Sequence, residues 1–118
     1  MTLRASLAML LVATPAFAHH GWSGQEEKVT SLTGTVVQGV SLAGPHAGMK
    51  IKVGAQVWDI TFAPPARTER AGLKEGLIPI GATVTVRGNR STEPGHHEMK
   101  TIYIKHSAAE YHVYPERE

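Results

Sequence analysis

Two adjacent histidines, His19 and His20, directly follow the small-residue tripeptide Ala16-Phe17-Ala18. Inside a chain such a pair means little. At the first position of a chain it means more, because one residue then carries both a free α-amino group and an imidazole. The amine and Nδ1 can close a chelate ring on a single metal ion with side-chain rotations alone. An ordinary α-amino pKa of ~7.7–8.0 lets a metal displace the proton near neutrality. A third nitrogen from another histidine completes a T-shaped set, the arrangement called a histidine brace in copper proteins. Nitrogen-rich tetragonal sites favour Cu(II), which also heads the divalent affinity order. The chain has no cysteine, which excludes thiolate sites and disulfides and weakens the case for Cu(I) chaperoning.

Whether His19 becomes a terminus depends on the residues before it. Arg4 supplies a basic start, an apolar run follows from Leu7 to Val12, and Ala16-Phe17-Ala18 is an A-x-A cleavage site. These are the parts of a secretory signal. The run is too short to cross a bilayer, which takes ~20 apolar residues. The reading is therefore a signal peptide over residues 1–18 and a single domain over 19–118, periplasmic or secreted, with no membrane insertion after cleavage. The formal net charge is +2, and loss of Arg4 leaves 11 basic against 10 acidic residues, a charge of +1. Nothing in that balance points to nucleic acid or an anionic membrane. All seven histidines stay in the mature chain.

The elements that must position these residues are short and alternating. Residues 29–40, rich in Val, Thr and Leu, read as one long strand bent or bulged at Gly34 and Gly39. Met49, Ile51 and Val53 alternate with lysines, and Trp58, Ile60 and Phe62 alternate with Asp59 and Thr61, giving a hairpin through Gly54-Ala55. "APPARTERAGL" fits a helix of about two turns, opened by Pro65 and closed by Gly72. Ala82, Val84 and Val86 form a fourth strand, and Ile102 and Ile104 mark a fifth. "EYHVY" adds an edge strand. Three strands, a helix and two strands is the order of an OB-fold, so the expected class is all-β, a small five-stranded OB-like barrel with one short helix between strands 3 and 4. An open antiparallel sandwich is the rival.

The stretches "HHGWS", "LTGTVV", "APPARTERAGL" and "GATVTVRG", with the Pro45-His46 pair, occur in an order that resembles a family of small exported bacterial proteins of unknown function. The resemblance covers nearly all of the mature chain. Such proteins usually show Asn-Pro-His, and Gly44 stands here where the Asn would be. That removes any role for the amide side chain and leaves a role for His46.

The third ligand has two candidate sources. His46 lies between strands 1 and 2, and His96-His97 lie between strands 4 and 5, the loops that flank the usual OB binding face. Strand 4 runs back along strand 1, which favours His96 or His97 as the neighbour of the terminus. Residues 19–28 could also span ~30 Å if extended, enough to fold back on His46. The resemblance favours His46, and the expected metal residues are His19, His20 and His46, with His96 and His97 behind them. The plainer readings are a tolerated His pair at a processing site and a solvated His96-His97 loop. His106 and His112 read as surface, Trp58 as core, and Trp22 as an anchor for the N-terminal segment. Arg67, Glu69 and Arg70 read as the solvated helix face, and Glu26-Glu27 as surface carboxylates.

Enzyme motifs are lacking: no Gly-x-Ser-x-Gly elbow, phosphate loop, His-Glu-x-x-His or cysteine nucleophile. The expectation is a metal-binding or accessory protein, with copper or another imidazole-preferring divalent ion as ligand. The alternative is a metal-independent module that binds a small molecule or partner protein on the barrel face. Single-stranded nucleic acid fits poorly, because it needs a basic, aromatic groove.

Overall fold

The computed structural model describes residues 22–118. Its strands are β1 (Gln25–Ser41), β2 (Gly48–Val53), β3 (Gln56–Thr61), β4 (Thr83–Ser91), β5 (Glu98–His106) and β6 (Ala109–His112), with one helix, α1 (Pro65–Arg70). β1 pairs antiparallel with β2 and with β4, β2 with β3, and β4 with β5. Parallel pairing of β3 (59–61) with β5 (98–100) closes the circuit. The result is the expected five-stranded barrel, with β6 appended to the far half of β5. Closure removes the open sheet edges a flat sandwich would leave.

Alternation decides what fills it. Val36, Ile51, Ile60, Val84, Val86, Ile102 and Ile104 are fully enclosed, and Lys52 and Lys105 on the opposite faces are exposed. Trp58 differs from its expected place in the core: it is half-buried. β3 meets β5 only from Asp59 onward, so Trp58 packs against the core at the start of the closure and stays partly exposed. The loop after α1 adds Leu73 and Ile78 to the core. Pro65 opens α1 and Gly72, at φ 103°, follows its end, a left-handed conformation that glycine adopts without strain.

Two close approaches make the curvature possible. A Cβ at Gly34 would lie 2.5 Å from the Lys52 carbonyl oxygen, and one at Gly88 would lie 2.1 Å from that of Lys100. The second marks a bulge: Arg87 pairs with Tyr103 and Gly88 with Thr101, so Ile102 is the extra residue. Its carbonyl accepts from the N–H groups of both Val113 and Tyr114, at 2.9 and 3.1 Å. The bulge therefore anchors the C-terminal segment as well as bending β5.

A wider bulge opens β1. Gln25 pairs with Ser91 and Val29 with Asn89, leaving residues 26–28 opposite Arg90. Buried Asn89 donates its Nδ2 to the carbonyls of Glu26, Glu27 and Lys28, at 2.9, 3.3 and 3.4 Å. This holds the first turn of β1 against β4 and sets the direction from which the chain enters the barrel.

Candidate functional site

β1 begins on the same end of the barrel as the β4–β5 loop. Gln25 pairs with Ser91, and both the N–H and Oγ1 of Thr92 donate to the Gly24 carbonyl, at 2.9 and 3.0 Å. The β1–β2 loop reaches the same place. Gln25, His46, Thr61, Phe62, Glu98 and Lys100 line one cleft of about 240 Å³. A second depression shares His46, Thr61 and Glu98 and runs on past Lys50 and Asp59. His46 lines this cleft itself, whereas the β4–β5 loop side reaches it through Glu98 and not through His96 or His97. His46 and Glu98 face one cleft, and Glu98 in turn holds His96.

The His96 Nε2 and Glu98 Oε2 atoms are 2.5 Å apart. That hydrogen bond, chiefly, raises the His96 pKa above its ordinary 6.5, with further help from the charge of Glu98. A raised folded-state pKa favours the native state below pH ~6.5, and the contribution disappears as pH rises through the folded value. A metal at His96 must displace that proton, so binding there strengthens as pH rises. In an NMR titration His96 should titrate above 6.5, and Glu98→Gln should lower the midpoint. An unchanged midpoint in that variant would break the assignment of the pair.

His97 does something different. Its ring stands edge-on to Trp58, with centroids 5.1 Å apart at 83°, and its carbonyl accepts from the Asp59 N–H at 2.9 Å. It packs the rim of the barrel closure. His46 is exposed at the cleft mouth. His112 is exposed and bonded to Glu118 at 2.6 Å, and His106 is half-buried at the end of β5. Glu26 is half-buried and lies 3.4 Å from Arg90, while Glu27 is exposed. His19 and His20, with the expected cleavage site, lie outside the described residues.

Among the described residues no three His, Asp or Glu side chains stand close enough to hold a metal ion. The cleft offers His46 and Glu98, and the Oε1 of Gln25 is buried without a hydrogen-bond partner. Lys100 opposes a cation there. Its ammonium lies 4.5 Å from the Trp22 ring centroid, and burial, then Arg117, pushes its pKa down. The donor set thus fits a metal only as a completion of ligands brought from elsewhere in the chain.

Arg67 departs from its expected role on the solvated face of α1. It is half-buried, donates its Nε to the Val113 carbonyl at 2.9 Å, pairs with Glu116 and lies 4.2 Å from the Tyr114 ring centroid. Sequence periodicity carried no signal for this, because its partners are 46 or more residues away in the C-terminal segment.

Fold and site together define a small OB-type barrel with a polar, histidine-bearing cleft at one end. The chain belongs to the DUF6152 family, described as a family of unknown function, whose model matches residues 8–100. No curated protein matches it. Among solved structures, it is similar to the ZRD-deleted mutant of TiaS in complex with agmatine, at a TM-score of 0.55 and 14% identity. The likeness covers 73% of this chain and 26% of that one, so this chain spans about a quarter of its length. At that identity the likeness concerns the fold alone.

Proposed function

We propose that this protein is exported, is cleaved after Ala18, and binds Cu(II) or another imidazole-preferring divalent ion through the amine and imidazole of His19. His20 stands beside the chelate, His46 supplies the third nitrogen, and His96 is the next candidate. The role is to hold or deliver metal outside the cytoplasm. The observation that carries this reading is the entry of the chain at the cleft. Trp22 lies against Lys100, which lines the cleft with His46. Trp22 follows His19 by three residue steps, a reach of about 10 Å when extended. A short arm starting there can present a terminal chelate to His46.

Two measurements test it. The intact mass of the exported protein should correspond to a chain beginning at His19; a start two or more residues away removes the reason for a terminal chelate. In a Trp58→Phe background, where Trp22 is the sole tryptophan, one equivalent of Cu(II) should quench its fluorescence. Full emission at saturating Cu(II) counts against the proposal. The metal-independent binding module remains the second reading, favoured by the mixed lining of the cleft, where Gln25, Thr61 and Lys100 stand beside His46 and Glu98.

A further inference from the structure

We propose that the trough across β1, β2, β3 and β5 binds a neutral saccharide through hydrogen bonds from two rows of side chains. This rests on the metal-independent reading and gives that reading a ligand class.

The rows follow from strand register. Gln38 pairs with Lys50, Lys50 with Asp59, and Asp59 with Glu98. Beside them, Ser41 pairs with Gly48, Gly48 with Thr61, and Thr61 with Lys100. Side chains two apart on a strand share a face, so both rows stand on one side of the sheet. In β1 three steps match two in β2, and that bulge keeps Ser41 on the face that Gln38 occupies. Gly48 puts no side chain between Ser41 and Thr61, which leaves a groove there. The two depressions that share His46, Thr61 and Glu98, about 360 and 240 Å³, lie along it. Together they reach the size of a small-ligand site.

The charges on these rows are balanced and already engaged. The Lys50 ammonium lies 3.1 Å from the Asp59 carboxylate, and Glu98 holds His96. Lys100 sits over the Trp22 ring and feels the opposing charges of Glu98 and Arg117, and these are not its only partners. Two lysines thus face two carboxylates, and no net charge draws an anion or a cation into the trough. An ionic ligand has to compete with an existing pair. A hydroxyl does not, since it accepts from Lys50 and donates to Asp59 at once. Thr61 adds an acceptor, because its own hydrogen goes to the Met99 carbonyl at 3.2 Å. Gln38 is exposed and adds an amide that both donates and accepts.

OB barrels bind oligonucleotides and oligosaccharides on this face. An oligonucleotide needs a basic groove with accessible rings on which its bases stack. Among the described residues, the one Phe, Tyr or Trp that lines the trough is Phe62, and it is fully enclosed. Balanced charge and a lining of hydroxyl, amide and carboxylate groups favour the saccharide.

The test is an NMR titration of the purified protein, freed of metal with EDTA, with maltose, cellobiose and chitobiose. At least one should bind saturably at millimolar concentration and shift the amides of Lys50, Asp59 and Thr61. Thr33 and Thr85, bonded to each other on β1 and β4 outside the trough, should not respond. Gln38→Ala and Asp59→Ala should each weaken binding roughly fivefold, as expected for one lost hydrogen bond. Both side chains lie at the surface, so the melting temperature should hardly move, and Thr33→Ala should bind like the parent. Saccharide binding that neither trough variant weakens would overturn the placement. Shifts of the same amides by inorganic phosphate or glycine, with none from the three sugars, would overturn the saccharide class and leave the metal-independent reading standing. No shift with any of these compounds would overturn both.

Discussion

Ile60→Ala should lower the stability of the barrel by roughly 2–5 kcal/mol. Ile60 is fully enclosed, pairs with Met49 on β2 and Met99 on β5, and so sits where the parallel closure meets the antiparallel hairpin. The residues around it are held by strand pairing on both sides and cannot collapse into the space, which places the loss in the upper part of that range. For a domain of this size each kcal/mol shifts the melting temperature by roughly 4–8 °C, so a fall of ten degrees or more is expected. Val57→Ala is the contrast. Val57 is 41% exposed on the same strand, and surface changes of that kind stay within about 0.5 kcal/mol. Equal shifts for the two variants in a thermal melt would contradict the strand register.

The second large effect concerns the terminus. One alanine added before His19 keeps every imidazole and leaves the barrel untouched. It destroys only the pairing of amine and Nδ1 within one residue. Cu(II) affinity near neutral pH should fall at least tenfold, about 1.4 kcal/mol, and His46→Ala in the parent should also weaken binding. The insertion moves His20 to position three, where it can form a different chelate with backbone amides, so the visible spectrum must be read with the affinity. A tight complex with an altered spectrum reports that new chelate. A tight complex with the parent spectrum contradicts the proposed ligand set.

The barrel was legible because its strands bury one face each. Met49, Ile51, Ile60, Val84 and Ile104 point inward at every second position, and that period fixes strand and register together. The bulges were only partly legible. The glycines in β1 announced a bend, whereas the bulge at Ile102 shows no special residue of its own and depends on Gly88 across the ladder. Trp58 obeyed the alternation and is still half-buried, because closure begins one residue later. Periodicity reports which face a side chain takes and not how far the covering strand extends.

The site was legible as residue types and not as an arrangement. The sequence offered His46 against His96-His97 as competing ligands, whereas the closure of β3 on β5 sets the His46 and Glu98 side chains around one cleft. It also gave the two adjacent histidines equal weight. The fold separates them, with His96 bonded to Glu98 and His97 packed on Trp58. Trp22 was readable as an anchor, but its partners Tyr114 and Arg117 were not, since only tertiary packing brings the two ends of the domain together.

The most direct test of the central claim is Cu(II) titration of the mature chain with a free terminus and with the same terminus acetylated. Acetylation removes the amine without moving a single histidine. The account predicts at least a tenfold loss of affinity, about 1.4 kcal/mol, with a changed spectrum as one nitrogen leaves the metal. An acetylated protein that binds as tightly as the free one, with the same spectrum, would contradict a chelate at His19.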